Sequence, residues 1–122
     1  MTNLEILYIG SKGELDKERV VLKALAKVDL ANYILVDAYN DGESFYDNNN
    51  EVFWFPSKIV DVGEYIRLYT KSGKNTITQA KFKEEPATFH DFYWNKPSAM
   101  WSTVRSNSAI IVQVQSWTGK KI

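Results

Sequence analysis

The feature that most restricts the fold of this chain is a series of short apolar segments, many of them alternating with polar residues, each ended by a turn. Because successive side chains of a strand point to opposite faces, alternation predicts a half-buried β-strand. Segments of strand length and β-rich composition cover residues 4–9, 19–25, 33–38, 52–55, 64–70, 76–82 and 109–115. About seven or eight short strands separated by turns predict an all-β fold, either a sandwich or a barrel.

One segment leaves a second interpretation open. Residues 14–26 place several side chains at near-helical spacing, so a helix is the alternative there. The β-branched pair Val20 and Val21 disfavours that helix, because such side chains lose rotamer freedom against the preceding turn. We therefore expect a strand at this position.

The length of 122 residues predicts a single domain spanning residues 1–122. A domain of this size buries roughly two-thirds of the surface of its unfolded chain, which is enough for one hydrophobic core. The alternation turns Ile66, Leu68, Ile110 and Val112 inward, and the predicted core also includes Leu30, Tyr33, Leu35, Phe55 and Trp101.

Composition excludes several kinds of site. The chain has no cysteine, so disulfides, thiolate nucleophiles and cysteine-based metal sites are excluded. No apolar run approaches the roughly 20 residues of a membrane-spanning helix. The N-terminus lacks a basic segment followed by an apolar one, so we expect a cytoplasmic protein, or a secreted or periplasmic one if a leader has been removed.

Catalytic and metal chemistry have few candidates. His90 is the only histidine, and its neighbour Asp91 would point to the opposite face of a strand, so the two would not orient each other. We expect a surface or loop-packed histidine. The oxygen-rich stretch with Asp37, Asp41 and Asp47 is a weak calcium candidate, because its spacing fails the EF-hand pattern. Residues 47–51 are predicted to form a polar loop, and no cofactor is expected.

Aromatic residues are the most conspicuous candidates for binding. Tyr65, Arg67 and Tyr69 should form a row on one strand face, with the guanidinium between two rings. Trp54 and Trp94 lie in other ring-rich extended segments and are the remaining binding candidates. Sugars, unstacked bases and protein interfaces all use such surfaces.

Three stretches, taken in order, resemble the lamin-tail domain family. Residues 18–37 hold Val28, Asp29 and Leu30 before an aromatic residue and a strand. Residues 52–69 hold a Phe-Pro pair, then Gly63 and a strand. Residues 101–111 place Trp101 before an asparagine and a last strand.

This resemblance implies an all-β fold, an immunoglobulin-like antiparallel β-sandwich of about seven to nine strands. It further implies an interaction domain, credited in lamins with protein and DNA contacts. In bacteria, similar stand-alone or appended domains accompany secreted or membrane-linked hydrolases without supplying catalytic residues.

Three functions remain open on the sequence. The first is a non-enzymatic module that contacts another protein through an aromatic-rich sheet face or edge. The second is a carbohydrate- or nucleic-acid-binding domain, favoured by the balance of nine basic and four acidic residues over positions 62–122. The third, weaker hypothesis is a hydrolase that uses His90.

Overall fold

The computed structural model describes residues 2–40, 45–101 and 107–121, and for residues 39, 40, 45–50 and 107 it describes the backbone only. The predicted all-β fold is confirmed: strands dominate these residues, and a single 3-10 turn, Leu30–Asn32, is the only helical element among them. The strands are β1 Leu4–Gly10, β2 Arg19–Ala24, β3 Val28–Asp29, β4 Tyr33–Asn40, β5 Phe45–Trp54, β6 Ile59–Val60, β7 Tyr65–Tyr69, β8 Thr76–Phe82, β9 Glu85–Tyr93 and β10 Asn107–Gln113. No helix in the described ranges is long and apolar enough to cross a bilayer.

The ten strands form three sheets. The largest has the order β1-β2-β7-β9-β8, the second has the order β10-β4-β5, and β3 pairs with β6. Every pairing is antiparallel except that of β7 with β9, which is parallel. The prediction of an entirely antiparallel fold is wrong at this pair, because the chain leaves β7, forms the edge strand β8 and returns by a hairpin to place β9 between them.

The core is shared by all three sheets. On the inner face of the five-stranded sheet, β2 and β7 contribute Val20, Leu22, Ile66 and Leu68, each fully buried. The other sheets and the connecting segments complete the core. Seven of the nine predicted core residues are buried: Leu30, Tyr33, Leu35, Phe55, Ile66, Leu68 and Trp101.

The last strand carries the two predicted core residues that are misplaced. Val112 is 41% exposed, and Ile110 is only half-buried and does not belong to the core cluster. Ala109 and Ile111 pack against the core instead. The pairing explains this result, because Ile111 lies opposite the buried Leu35 of β4, and the two-residue period then turns Ile110 and Val112 to the other face.

Two further segments differ from the prediction. Residues 47–51 belong to β5, so the predicted polar loop is wrong; the register with β4 shifts there, from Asp37 opposite Glu51 to Tyr39 opposite Tyr46. The nine-residue β9 is absent from the predicted strands, which pass directly from residues 76–82 to residues 109–115. By contrast, the strand expected in place of the helical alternative for residues 14–26 is confirmed, because β2 occupies residues 19–24.

Two of the residues that carry the resemblance, Gly63 and Asp29, lie at turns of the chain. Gly63 precedes β7 with φ of +85°, a conformation that glycine adopts without a side-chain clash. At the corner before β4, the Asp29 carboxylate accepts hydrogen bonds from the backbone N–H groups of Ala31 and Lys58, at 3.0 and 3.2 Å. Ser57 Oγ also lies 3.1 Å from each Asp29 oxygen. Together these contacts connect the corner to the segment before β6.

Candidate functional site

The outer face of the five-stranded sheet carries the predicted aromatic row. It is built by side chains of β2, β7, β9 and the end of β8 that alternate away from the core. We define the outer face by Lys23, Tyr65, Arg67, Tyr69, Phe82, Phe89, Asp91 and Tyr93. The alternation predicted for β7 is confirmed, since Ile66 and Leu68 are fully buried while the three intervening side chains are half-buried.

Arg67 is held at the centre of this face. Its Nε and Nη2 donate to the two carboxylate oxygens of Asp91 at 2.7 and 2.8 Å. The guanidinium carbon lies 4.1 Å from the centre of the Phe89 ring and 5.8 Å from that of Tyr69. Burial lowers the pKa of Arg67, but the hydrogen bonds and charge of Asp91 outweigh it, so the pKa lies above its ordinary value and the charge is retained.

The rings of the outer face are stacked across neighbouring strands. Tyr65 stacks on Phe89 at 5.3 Å between ring centres and contacts Phe82 at 4.5 Å. Tyr69 stacks on Tyr93 at 5.3 Å, with only 13° between the ring planes. Burial, with the nearby Asp91 charge, raises the pKa of Tyr93 above its ordinary value. The ring–ring contacts between neighbouring strands therefore order the aromatic side chains of this face.

Two lysines lie over rings on this side of the sheet. The ammonium of Lys23 is 5.9 Å from the centre of the Tyr65 ring, and that of Lys71 is 5.3 Å from that of Tyr69. Such cation–ring contacts contribute about 0.5–1 kcal/mol at exposed sites. They also leave positive charge at the two ends of the aromatic row.

A groove runs along one side of the outer face. Its volume is about 510 Å³, and its lining residues are Glu5, Leu7, Tyr8, Lys23, Tyr65, Phe82 and Lys83. Tyr8 is 43% exposed there. Most of these residues were missed by sequence reasoning, because β1, β2 and the β8–β9 turn are far apart in the chain and meet only through strand pairing.

Trp54 and Trp94 do not join the outer face. Trp54 packs edge-on against Trp117 and donates from Nε1 to the carbonyl oxygen of Ala31 at 2.6 Å. Trp94 is half-buried and contacts Phe53 and Trp101, at the margin of the core. The five predicted binding residues therefore do not form one surface.

His90 lies on the inner side of the sheet. It is 5% exposed, so the expectation of a surface or loop-packed histidine is wrong. The reason is its register on β9, opposite the fully buried Ile66. Its Nε2 lies 2.9 Å from Glu64 Oε1, while Asp91 bonds Arg67 on the opposite face, as the strand geometry predicts. Partial burial raises the pKa of Glu64, but contacts with His90 and the Asp61 backbone lower it more, leaving it below its ordinary value.

The calcium hypothesis is largely outside the described residues. Asp41 and the side chain of Asp47 are not described, and Asp37 lies within β4. Among the residues that are described, no group of three or more histidine, cysteine or acidic side chains is placed to hold a metal ion.

Glu18 is an important residue that sequence reasoning did not single out. Its side chain is buried and accepts four hydrogen bonds, from the backbone N–H groups of Gly13, Met100 and Trp101 and from the Thr70 hydroxyl. These distances range from 2.6 to 3.2 Å. Glu18 therefore links the loop before β2, the end of β7 and the segment that buries Trp101. The only signal in the sequence is an acid placed directly before a dense apolar strand.

Comparison with protein-family models, with curated protein sequences and with solved structures gives no match for this chain.

Proposed function

We propose that this chain is a non-enzymatic interaction module that binds another protein through the outer face of its five-stranded sheet. The observation that carries the proposal is the ordered arrangement of rings around Arg67, which Asp91 holds over Phe89 at 4.1 Å. Tyrosine and arginine are enriched among the residues that dominate binding energy at protein interfaces.

The arrangement lowers the entropic cost of binding. Tyr65 and Tyr69 are each stacked on a neighbouring ring, and Arg67 is fixed by two hydrogen bonds. Ordering a rotamer-rich side chain at an interface costs about 0.5–1.5 kcal/mol, and side chains that are already ordered avoid much of that cost. The rings are only half-buried, so their edges remain accessible to a partner, and the guanidinium of Arg67 is also partly exposed.

We also propose that the fold is an immunoglobulin-like sandwich of the lamin-tail type. Support comes from two larger sheets that share one core, from the buried Trp101 and from the Asp29 corner. The parallel pairing of β7 and β9 is the feature that a family comparison must reproduce. The assignment would be contradicted if a solved lamin-tail structure lacked that pair and if its two sheets could not be superposed on those of this chain in any other way.

A capture experiment tests the interaction proposal. Wild-type protein and the double variant Tyr65→Ala/Tyr69→Ala would be immobilised and compared by quantitative mass spectrometry of proteins retained from the native cells. The matched control is Val62→Ser, an exposed site in the turn before β7. We expect the retained amount of at least one protein to be tenfold or more lower on the double variant than on the wild type. The amount of that protein retained on the control variant should equal the wild-type amount. Equal retention by all three folded proteins would contradict the proposal.

A second candidate function rests on the groove beside Tyr65. Lys23 and Lys83 flank the exposed ring of Tyr8 and the half-buried ring of Phe82, an arrangement that also suits a base and its phosphate. A labelled single-stranded oligonucleotide should then bind with an affinity that falls steeply as salt rises, and Lys83→Ala should reduce the salt slope. A neutral glycan that binds without salt dependence would favour the carbohydrate version instead.

A further inference from the structure

The edge strand β8 has an unpaired side. It is the last strand of the five-stranded sheet, and no described strand pairs with its outer edge. Edge strands expose backbone N–H and C=O groups that can pair with another chain, and proteins commonly block them with proline, bulges or inward charges. β8 contains no proline, and its seven residues pair with β9 without a bulge. Lys81 is its only charged residue.

A cleft of about 350 Å³ opens beside this edge, on the inner side of the sheet. Ile77 lines it and is 48% exposed, next to the buried Phe92 and His90. His90 Nδ1 is buried and has no hydrogen-bond partner among the described residues. Lys58 and Asn75 supply polar groups to the same cleft. The cleft thus combines an apolar floor with a buried polar atom that lacks a partner.

The charge around β8 is mainly positive, although two acidic residues, Glu84 and Glu85, follow it in the turn and at the start of β9. Residues 65–83 contain no acidic residue, and four lysines lie in or next to β8 in the sequence: Lys71, Lys74, Lys81 and Lys83. An acidic strand would therefore be favoured at this edge by charge complementarity. A second copy of this chain pairing through β8 would bring two lysine-rich segments together, which like-charge repulsion disfavours.

From these observations we propose that β8 binds an extended acidic segment of a partner protein by strand addition. The segment pairs with the outer edge of β8 and places an apolar side chain in the cleft against Ile77 and Phe92. In this mode of recognition the backbone hydrogen bonds supply affinity and the pocket supplies specificity. The site is separate from the outer face, so it stands or fails independently of the function proposed above.

A competitive selection tests the proposal. A phage-displayed library of linear octapeptides would be selected on immobilised wild-type protein in the presence of excess soluble Ile77→Lys variant. The soluble variant captures peptides that bind any other surface, so only peptides that require Ile77 remain on the immobilised protein. Ile77 is half exposed, so this variant should fold, and a charge at the edge should block pairing. We expect enriched sequences that alternate apolar and acidic residues. If no sequence survives the competition, the proposal is overturned.

A synthetic peptide of the most enriched sequence would then be measured by calorimetry and by amide hydrogen exchange. We expect affinity at least tenfold weaker for Ile77→Lys and at least threefold weaker for Lys81→Glu. We also expect alternate amides of residues 76–82 to become protected. The matched control is Val52→Lys, which changes a 53% exposed apolar residue on β5, the edge strand of the other large sheet. It should bind as the wild type does.

Three outcomes would overturn the strand-addition proposal. One is loss of peptide binding with Tyr65→Ala but not with Ile77→Lys, which would place the peptide on the outer face. Another is protection that appears outside β8. The third is a wild-type dimer in sedimentation that Ile77→Lys dissociates, which would identify a second copy as the occupant of the edge.

Discussion

Arg67 and Asp91 form a two-point hydrogen-bonded ion pair across the parallel strands β7 and β9, with N–O distances of 2.7 and 2.8 Å. The two residues are 24 positions apart, and their pairing depends on the chain placing β9 between β7 and β8. Asp91 also accepts a hydrogen bond from the Thr78 hydroxyl of β8 at 2.8 Å. One carboxylate therefore connects three strands and fixes the centre of the outer face.

Replacing Asp91 with Asn should destabilise the protein. The amide cannot accept both guanidinium hydrogen bonds, and Arg67 is left without its countercharge. Because Arg67 remains partly exposed, we expect a loss of about 2 kcal/mol, below the range for a fully buried pair. Urea unfolding measures this change. Glu51→Gln is the matched control, because it breaks the more exposed ion pair with Lys96 and should cost less than about 1 kcal/mol.

Replacing Glu18 with Gln should be costly although the side chain keeps its size. All four partners of the carboxylate donate hydrogen bonds to it. The side-chain nitrogen of glutamine cannot accept hydrogen bonds, so it would face donors that have lost their acceptor. We expect a loss of about 2–3 kcal/mol in the free energy of unfolding, because buried donors are left unsatisfied. Thermal unfolding followed by tryptophan fluorescence would report it. The exposed Glu14→Gln should unfold at the wild-type temperature, and equal stability of both variants would contradict this role of Glu18.

The corner at Asp29 should contribute stability that depends on pH. The hydrogen bond from the Ala31 backbone lowers the pKa of Asp29; partial burial opposes this, and contacts from Ser57 and Lys58 lower the pKa further. The net pKa lies below the ordinary value of 3.8, so the ionised form stabilises the folded state. This contribution is complete above that value and is lost as the pH falls through the lower, folded-state pKa.

Urea unfolding of wild type and Asp29→Ala across pH 3–7 tests this expectation. The variant should be less stable than the wild type at neutral pH. The difference in their free energies of unfolding should become smaller only below about pH 4. A difference in the free energy of unfolding that stays constant down to pH 3 would mean that folding does not lower the pKa of Asp29, and would contradict the expectation.

The turn between β8 and β9 offers a stabilising change. Lys83 and Glu84 have φ of 50° and 70°, in the left-handed region that favours glycine and asparagine. They connect β8 and β9 as a two-residue hairpin turn, because Phe82 pairs with Glu85. The double change Lys83→Asn/Glu84→Gly should relieve this strain and raise stability by about 1 kcal/mol, or roughly 3–6 °C in Tm. A calorimetric scan checks it, and a Tm at or below that of the wild type would contradict it.

Prediction from sequence succeeded where one face of a strand was apolar and the other was not. In β7, Ile66 and Leu68 alternate with three polar or amphipathic residues, so only one orientation buries the aliphatic side chains. In β10 both faces carry aliphatic residues, so the pattern allowed either orientation. Pairing with β4 decided it, and Val112 is exposed as a result.

The sequence by itself determined the all-β class, the inward face of β7 and the burial of Trp101, because these follow from local periodicity and side-chain size. Only the tertiary structure decided that Arg67 pairs with Asp91, that His90 is buried beside Glu64, and that Glu18 accepts hydrogen bonds from three segments of the chain. The physical reason is strand order. Periodicity along one strand fixes which face a side chain takes, but which strand lies beside it is set by how the whole core closes.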